Sequence, residues 1–211
     1  MEGCAVRSIK VAGLCALLML AGCSATKLTP QLKDSTVYRT PIDGATAQLV
    51  LTQEFQQKLI TQKPSYGRAW SVFNFETPVG QAMSKALVSD MRSRAPNTRV
   101  GDREDGKPAS IKVIANDVGI EFGVDEGNAI FWTSVSLVGL ASDIVVGAKV
   151  HLTTTVSING EPPKSVSTTG IGTLPEAYGA LSKTDFGTVI GLAIDDAALK
   201  LGEQIQAEAL R

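Results

Sequence analysis

The sequence predicts an α+β fold: a mainly antiparallel sheet with two principal helices packed on one face, after a signal peptide and a short tether. Two segments carry apolar residues at three- and four-residue steps, and several others alternate apolar with polar residues or are rich in β-branched ones. Their order, ββ-α-β-β-β-α, does not suit a wholly parallel sheet. Hydrophobic residues make up 44% of the 211 residues and aromatics only 5%, so the core must come mainly from Ala, Val, Leu and Ile. The chain divides into a leader at 1–22, a polar segment at 23–44 and one domain at 45–211, a size that can bury a core of its own.

The first strand expected is Thr46–Phe55, with Ala47, Leu49, Leu51 and Phe55 on one face; the second is Ala69–Phe75. Thr77 reads as an N-cap with Pro78 at the first helical position, opening a helix that ends near Arg94, before Pro96. Val79, Met83, Leu87 and Met91, with Ala82 and Ala86 between them, form its buried face. Ile111–Phe122 is rich in β-branched residues and is expected as a strand, followed by a polar turn at 125–128. In Ala148–Ile158, Val150, Leu152, Val156 and Ile158 point one way, while Lys149, His151, Thr153, Thr155 and Ser157 point the other. Asn159-Gly160 is a turn signal, lengthened by Glu161, Pro162 and Pro163, and Lys164–Thr173 should return as the partner strand. From Thr184 to Leu210, Phe186, Ile190, Ala193, Ala197, Leu201 and Ile205 mark a long amphipathic helix.

The amino terminus has a separate logic. Arg7 and Lys10 precede the apolar run Val11–Leu20, which is long enough for an export signal and short of the roughly 20 residues of a transmembrane helix. The run closes on Leu20-Ala21-Gly22-Cys23, which resembles the lipobox of bacterial lipoprotein precursors. The resemblance implies cleavage between Gly22 and Cys23, an S-diacylglycerol on the Cys23 thiol and an N-acyl chain on its new amino group. One acyl chain holds marginally and two or more hold stably, so such a residue would stay in its leaflet. In the sorting rule of such precursors the next residue sets the destination. Ser24 implies the outer membrane, facing the periplasm, with the periplasmic side of the inner membrane as the alternative.

Cysteine usage fits this reading. Cys4 and Cys15 leave with the leader, so Cys23 is the one cysteine of the mature chain and no disulfide framework is possible there. Losing Arg7, Lys10 and Glu2 leaves 18 basic against 20 acidic residues, a net charge of about −2 that gives no electrostatic case for nucleic acid. Between Ser24 and Pro41 the chain is polar and broken by Pro30 and Pro41, and reads as a tether whose 18 residues would span about 60 Å fully extended.

A weaker similarity covers about half the chain. The turn at Gly127-Asn128, the strand Ala148–Ile158, the Asn159-Gly160 turn, the return strand and the helix with Ala193-Ile-Asp-Asp-Ala-Ala198 resemble the C-terminal half of the YajG-type lipoproteins. The resemblance departs at 131–147 and implies no activity.

The segment 129–147 holds one charge, Asp143, in 19 residues. Three readings stand: a core or subunit-packed element, a surface that touches membrane or an envelope partner, and a span. On the second reading the contact residues are Phe131, Trp132, Val135, Leu137, Val138, Leu140, Ile144 and Val145.

Catalytic signals are sparse. His151, the one histidine, lies on the outward side of its strand, with no Cys or acidic residue at ligand spacing. No nucleophile elbow, phosphate loop or Ser-x-x-Lys motif occurs, so neither enzyme activity nor a cofactor or metal is expected. Asp117, Glu121, Asp125 and Glu126 lack the ligand spacing of a calcium loop and read as solvated turns; Asp196 is placed to pair with Lys200. The functional expectation is a membrane-anchored, non-catalytic accessory or scaffold component of the cell envelope. It would meet a protein partner or a second copy through the sheet edge or the 129–147 segment. The alternative is a carrier or sensor holding a small apolar or lipid ligand between helices and sheet.

Overall fold

The computed structural model describes residues 25–33, 39–65, 70–125, 143–177 and 180–211. In chain order these form β1 (Thr26–Lys27), β2 (Ala47–Leu51), the single turn α1 (Gln53–Gln56), β3 (Ile60–Gln62), β4 (Phe75–Thr77) and α2 (Val79–Arg94). They continue with β5 (Arg99–Gly101), β6 (Ile111–Asp125), β7 (Asp143–Ile158), β8 (Lys164–Ala177) and α3 (Lys183–Ala209). The main sheet has the order β5-β2-β6-β7-β8, and a small sheet has the order β1-β4-β3. The fold is α+β, with α2 and α3 as its two principal helices.

The long antiparallel meander β6-β7-β8 is the frame. Along β7, Ile144, Val146, Ala148, Val150, Leu152, Val156 and Ile158 are buried on the helix side, as the period of two requires. Thr154 takes the remaining inward place and donates its hydroxyl to the Val166 carbonyl at 3.3 Å. On β6 the inward residues are Ile111, Val113 and Ala115, and then Val118, Ile120, Phe122 and Val124. The change of parity is absorbed by a bulge between Ala115 and Asp117, without which half the strand's apolar residues would face outward. Asn159 and Gly160 have φ of 52° and 79°, as a type I′ turn requires, and the Glu161 N–H donates to the Ile158 carbonyl at 2.9 Å.

Both helices bury the stripes their periodicity marks. Val79, Met83, Leu87 and Met91 of α2 and Phe186, Ile190, Ala193, Ala197, Leu201 and Ile205 of α3 all lie in one core. At the start of α3 the Asp185 carboxylate accepts from the Ser182 N–H at 2.7 Å, satisfying a donor the helix leaves open. The inward positions Gly170 and Gly172 let α3 descend onto β8. A Cβ at Gly170 would stand 1.9 Å from the Ala193 carbonyl oxygen, and one at Gly172 would stand 2.1 Å from that of Val189.

Several expectations are corrected. The first strand stops at Leu51, because the Thr52 hydroxyl accepts from the Phe55 N–H at 3.2 Å and turns the chain into α1. That strand is buried on both faces, and it lies between β5 and β6, parallel to each, so the sheet is mixed. Of the described residues 70–75 only Phe75 is strand; Trp70 to Phe73 close a turn through the Phe73 N–H and the Trp70 carbonyl at 3.1 Å. Thr77 ends β4 and is no side-chain cap. Residues 25–33 are not free tether: β1 pairs with β4, and Leu28 is buried in the core.

Overpacking a close backbone contact typically costs 1–3 kcal/mol, and contacts this short belong at the upper end. Gly170→Ala is therefore expected to lose about 3 kcal/mol in urea unfolding. Gly119→Ala, with nothing within 4 Å of its Cβ, should change little. Equal midpoints for the two variants would refute the close-contact account.

Candidate functional site

The described chain begins as a strap over α3. Gln31 donates its N–H to the Gly187 carbonyl at 3.0 Å, and Lys33 donates its N–H to the Asp195 carboxylate at 2.8 Å. Two glycines one turn apart make the bed. A Cβ at Gly187 would fall 2.6 Å from the Thr29 carbonyl oxygen, and one at Gly191 would fall 1.9 Å from that of Gln31. The contacts advance together along both segments, so the strap runs parallel to α3. Its first residues therefore lie at the end where α3 starts, which is also where β6 ends and β7 begins.

Five aromatic side chains gather at this end. Phe75, Phe122 and Phe186 are fully buried, with centroids 5.5–6.0 Å apart, and Trp70 stands edge-on to Phe186 at 5.4 Å. Phe73 stacks outside them, 6.0 Å from Trp70, and is 48% exposed; its neighbour Val72 is 69% exposed. The strap holds this turn directly: Thr26 donates its N–H to the Asn74 carbonyl at 2.8 Å.

The outer face of the meander is polar toward the start of β6 and the end of β7, and carries a shallow groove of about 340 Å³ at the other end, where β6 ends and β7 begins; there Val145 and Ile171 are exposed beside Glu121 and Lys149. His151 belongs to this face and makes a 3.0 Å cross-strand hydrogen bond through Nδ1 with the Thr169 hydroxyl. Asp117 pairs with Lys58, whose ammonium holds the carboxyl below its ordinary pKa, chiefly by hydrogen bonding. At the free edge of β8, Asp196 accepts the Ile171 N–H at 2.8 Å, while Lys200 donates to the Thr169 carbonyl at 3.0 Å and to Asp196 at 2.8 Å. Pro175 shares the parity of Ile171, so it offers no N–H where the edge would need one. Edge pairing at β8 is thus obstructed by the chain itself.

Most residues that the sequence singles out as a site fall outside the described ones: Gly22, Cys23, Phe131, Trp132, Val135, Leu137, Val138 and Leu140, with the 126–128 part of the polar turn. Ile144 and Val145 open β7, Ile144 buried toward the helices and Val145 46% exposed on the opposite face, so they do not form one contact surface. The Asp196–Lys200 pair forms as its spacing suggests. Sequence reading passed over the strap and the exposed turn. Their signals were the i, i+4 glycines at 187 and 191, and the adjacent apolar pair Val72-Phe73, which no half-buried strand could bury on one face.

No described helix is long and apolar enough to cross a membrane. No family model matches the chain, and no curated protein matches it. Among solved structures, a minor lipoprotein of Acinetobacter baumannii is similar over 80% of this chain and 95% of its own, at 9% identity and a TM-score of 0.42. A Caulobacter crescentus protein assigned as a lipoprotein covers 63% of this chain and 83% of its own, at 14% identity and a TM-score of 0.34. A Xanthomonas campestris protein of the DUF330 family covers 89% and 95%, at 9% identity and a TM-score of 0.40.

Two outcomes are expected. Gly191→Ala favours the helix by about 1 kcal/mol yet blocks the strap, so trypsin should cut after Lys27 faster while the helical circular dichroism persists; unchanged cleavage would count against strap docking. In an NMR titration Asp117 should have its midpoint below the ordinary carboxylate value, and Lys58→Met should raise it. The pair's small, solvent-screened stabilisation is present above the unfolded-state pKa and is lost as pH falls through the depressed one.

Proposed function

We propose that the chain is a lipid-anchored bacterial envelope protein, with Cys23 as its lipid-bearing residue and its α+β body as a non-catalytic accessory or scaffold module facing the periplasm. The observation that carries this reading is the spacing of motif and fold: Leu20-Ala21-Gly22-Cys23 ends three residues before Thr26, the first residue of β1, which pairs with β4. An S-diacylglycerol and an N-acyl chain on Cys23 would hold the mature protein in its leaflet, and Ser24 favours the outer membrane.

The body's construction supports a scaffold over a carrier. The glycine contacts bring α3 onto β8 with no room for a ligand between them, and the β8 edge is capped from within. A protein partner or a second copy would then be met through side-chain surfaces such as the Val145–Ile171 groove, not through strand addition.

Metabolic labelling with a fatty acid tests the anchor. Wild type should take up label and a Cys23→Ala variant should not; an unlabelled wild type, or a labelled variant, would sink the proposal. Separating the inner and outer membranes of the labelled cells then assigns the leaflet.

A further inference from the structure

We infer that the turn carrying Val72 and Phe73 is a second membrane contact, entering the interfacial layer of the same leaflet that holds the lipid of Cys23. This rests on Cys23 being the lipid-bearing residue. Turn tips ordinarily carry Gly, Pro, Asn, Asp or Ser, whereas here two adjacent large apolar residues are 69% and 48% exposed. They are the only such adjacent pair among the described residues. The turn is stiffly backed: Phe73 rests on Trp70 and on Phe75, and Trp70 rests on Phe186. An apolar side chain on a fixed base with a tryptophan behind it suits the boundary between headgroups and acyl chains.

The length of chain before the body identifies the occupant. Cys23 stands three residues before Thr26, so its Cα lies within about 11 Å of that of Thr26 even when the chain is fully extended. Thr26 is hydrogen-bonded to Asn74, the residue after Phe73. A lipid on Cys23 therefore keeps the bilayer within roughly 10–15 Å of this turn, the same order as the roughly 5–10 Å that interfacial side chains penetrate. The strap, locked along α3 by Gly187 and Gly191, keeps the body from swinging away. Anchor and turn together make two points of attachment, which set the body's orientation as well as its location.

The test uses the full chain carrying Val72→Cys, produced in bacteria fed a labelled fatty acid. Cys4 and Cys15 leave with the leader and the Cys23 thiol is blocked by its lipid, so the introduced thiol alone takes a polarity-sensitive fluorophore. Leu210→Cys, at the far end of α3 and 71% exposed, is the control. After reconstitution into phosphatidylethanolamine–phosphatidylglycerol vesicles, emission from position 72 should shift to the blue and be quenched by lipids bearing a nitroxide near the headgroup. Position 210 should do neither. Labelled protein without quenching at position 72 would overturn the membrane contact and leave the anchor standing. A blue shift without quenching would mean a protein occupant and would overturn it too. Protein without fatty-acid label would overturn both readings.

Discussion

The arrangement depends on one backbone-to-backbone contact, the seating of α3 on β8 at Gly170 and Gly172. With any side chain at those positions the helix would stand further off the sheet, since a Cβ would already lie about 2 Å from helix carbonyl oxygens. Phe186, Ile190, Ala193 and Ala197 reach the inner face of the meander only because the axis is this low. The low aromatic content is consistent with it: small and aliphatic residues fill a thin layer between helix and sheet, and Phe75, Phe122 and Phe186 cluster at one end.

The same helix is cut away on two further sides. Gly187 and Gly191 receive the strap, and Gly202 faces α2, where a Cβ would lie 2.0 Å from the Asp90 carboxylate and 2.3 Å from Arg94 Nε. Each of these three glycines costs the helix about 1 kcal/mol relative to alanine, so their presence in a 27-residue helix makes sense through what they admit. At Gly202 that is a charge. Arg94, 2% exposed, donates to Asp90 at 2.8 Å, to Gln206 Oε1 at 2.5 Å and to the Leu199 carbonyl at 3.5 Å. A buried guanidinium is tolerable only with its donors so occupied, and the result fixes the C-terminal half of α3 to α2.

Periodicity explains why some of this was legible. A period of 3.6 marked α2 and α3, and a period of two with Asn159-Gly160 marked β7, β8 and their turn, because each of these elements buries one face. β2 defeats the same reasoning, since both of its faces are buried, Gln48 and Val50 as well as Ala47, Leu49 and Leu51. The turn into α1 was hidden because Phe55 keeps the odd-numbered apolar parity of β2 although the chain has already left the sheet at Thr52. The bulge on β6 was written in the shift from Ile111, Val113 and Ala115 to Val118, Ile120 and Phe122, a signal visible only when parity is followed residue by residue. The strap was the least legible part. Leu28 and Leu32 are isolated apolar residues in a polar stretch, and the glycines that seat the strap, Gly187 and Gly191, meet Thr29 and Gln31 from about 160 residues away.

The two ends of the molecule are consequently unlike. Because the strap runs parallel to α3, the start of that helix, the aromatic cluster and the Val72–Phe73 turn share the end nearest Cys23. The Arg94–Asp90–Gln206 cluster and the helix C-terminus lie toward the other, a separation of up to about 40 Å along 27 helical residues. A free 18-residue tether would have let either end meet the bilayer. With Cys23 lipidated as proposed, a strap docked from Thr26 to Lys33 would permit only one, because every residue it buries shortens the reach of the anchor. On that proposal a periplasmic partner would meet the remaining surfaces from a fixed direction. The polar outer face of the meander and the far end of the helix pair would be the accessible ones, and the capped β8 edge would stay closed to strand exchange among neighbouring copies.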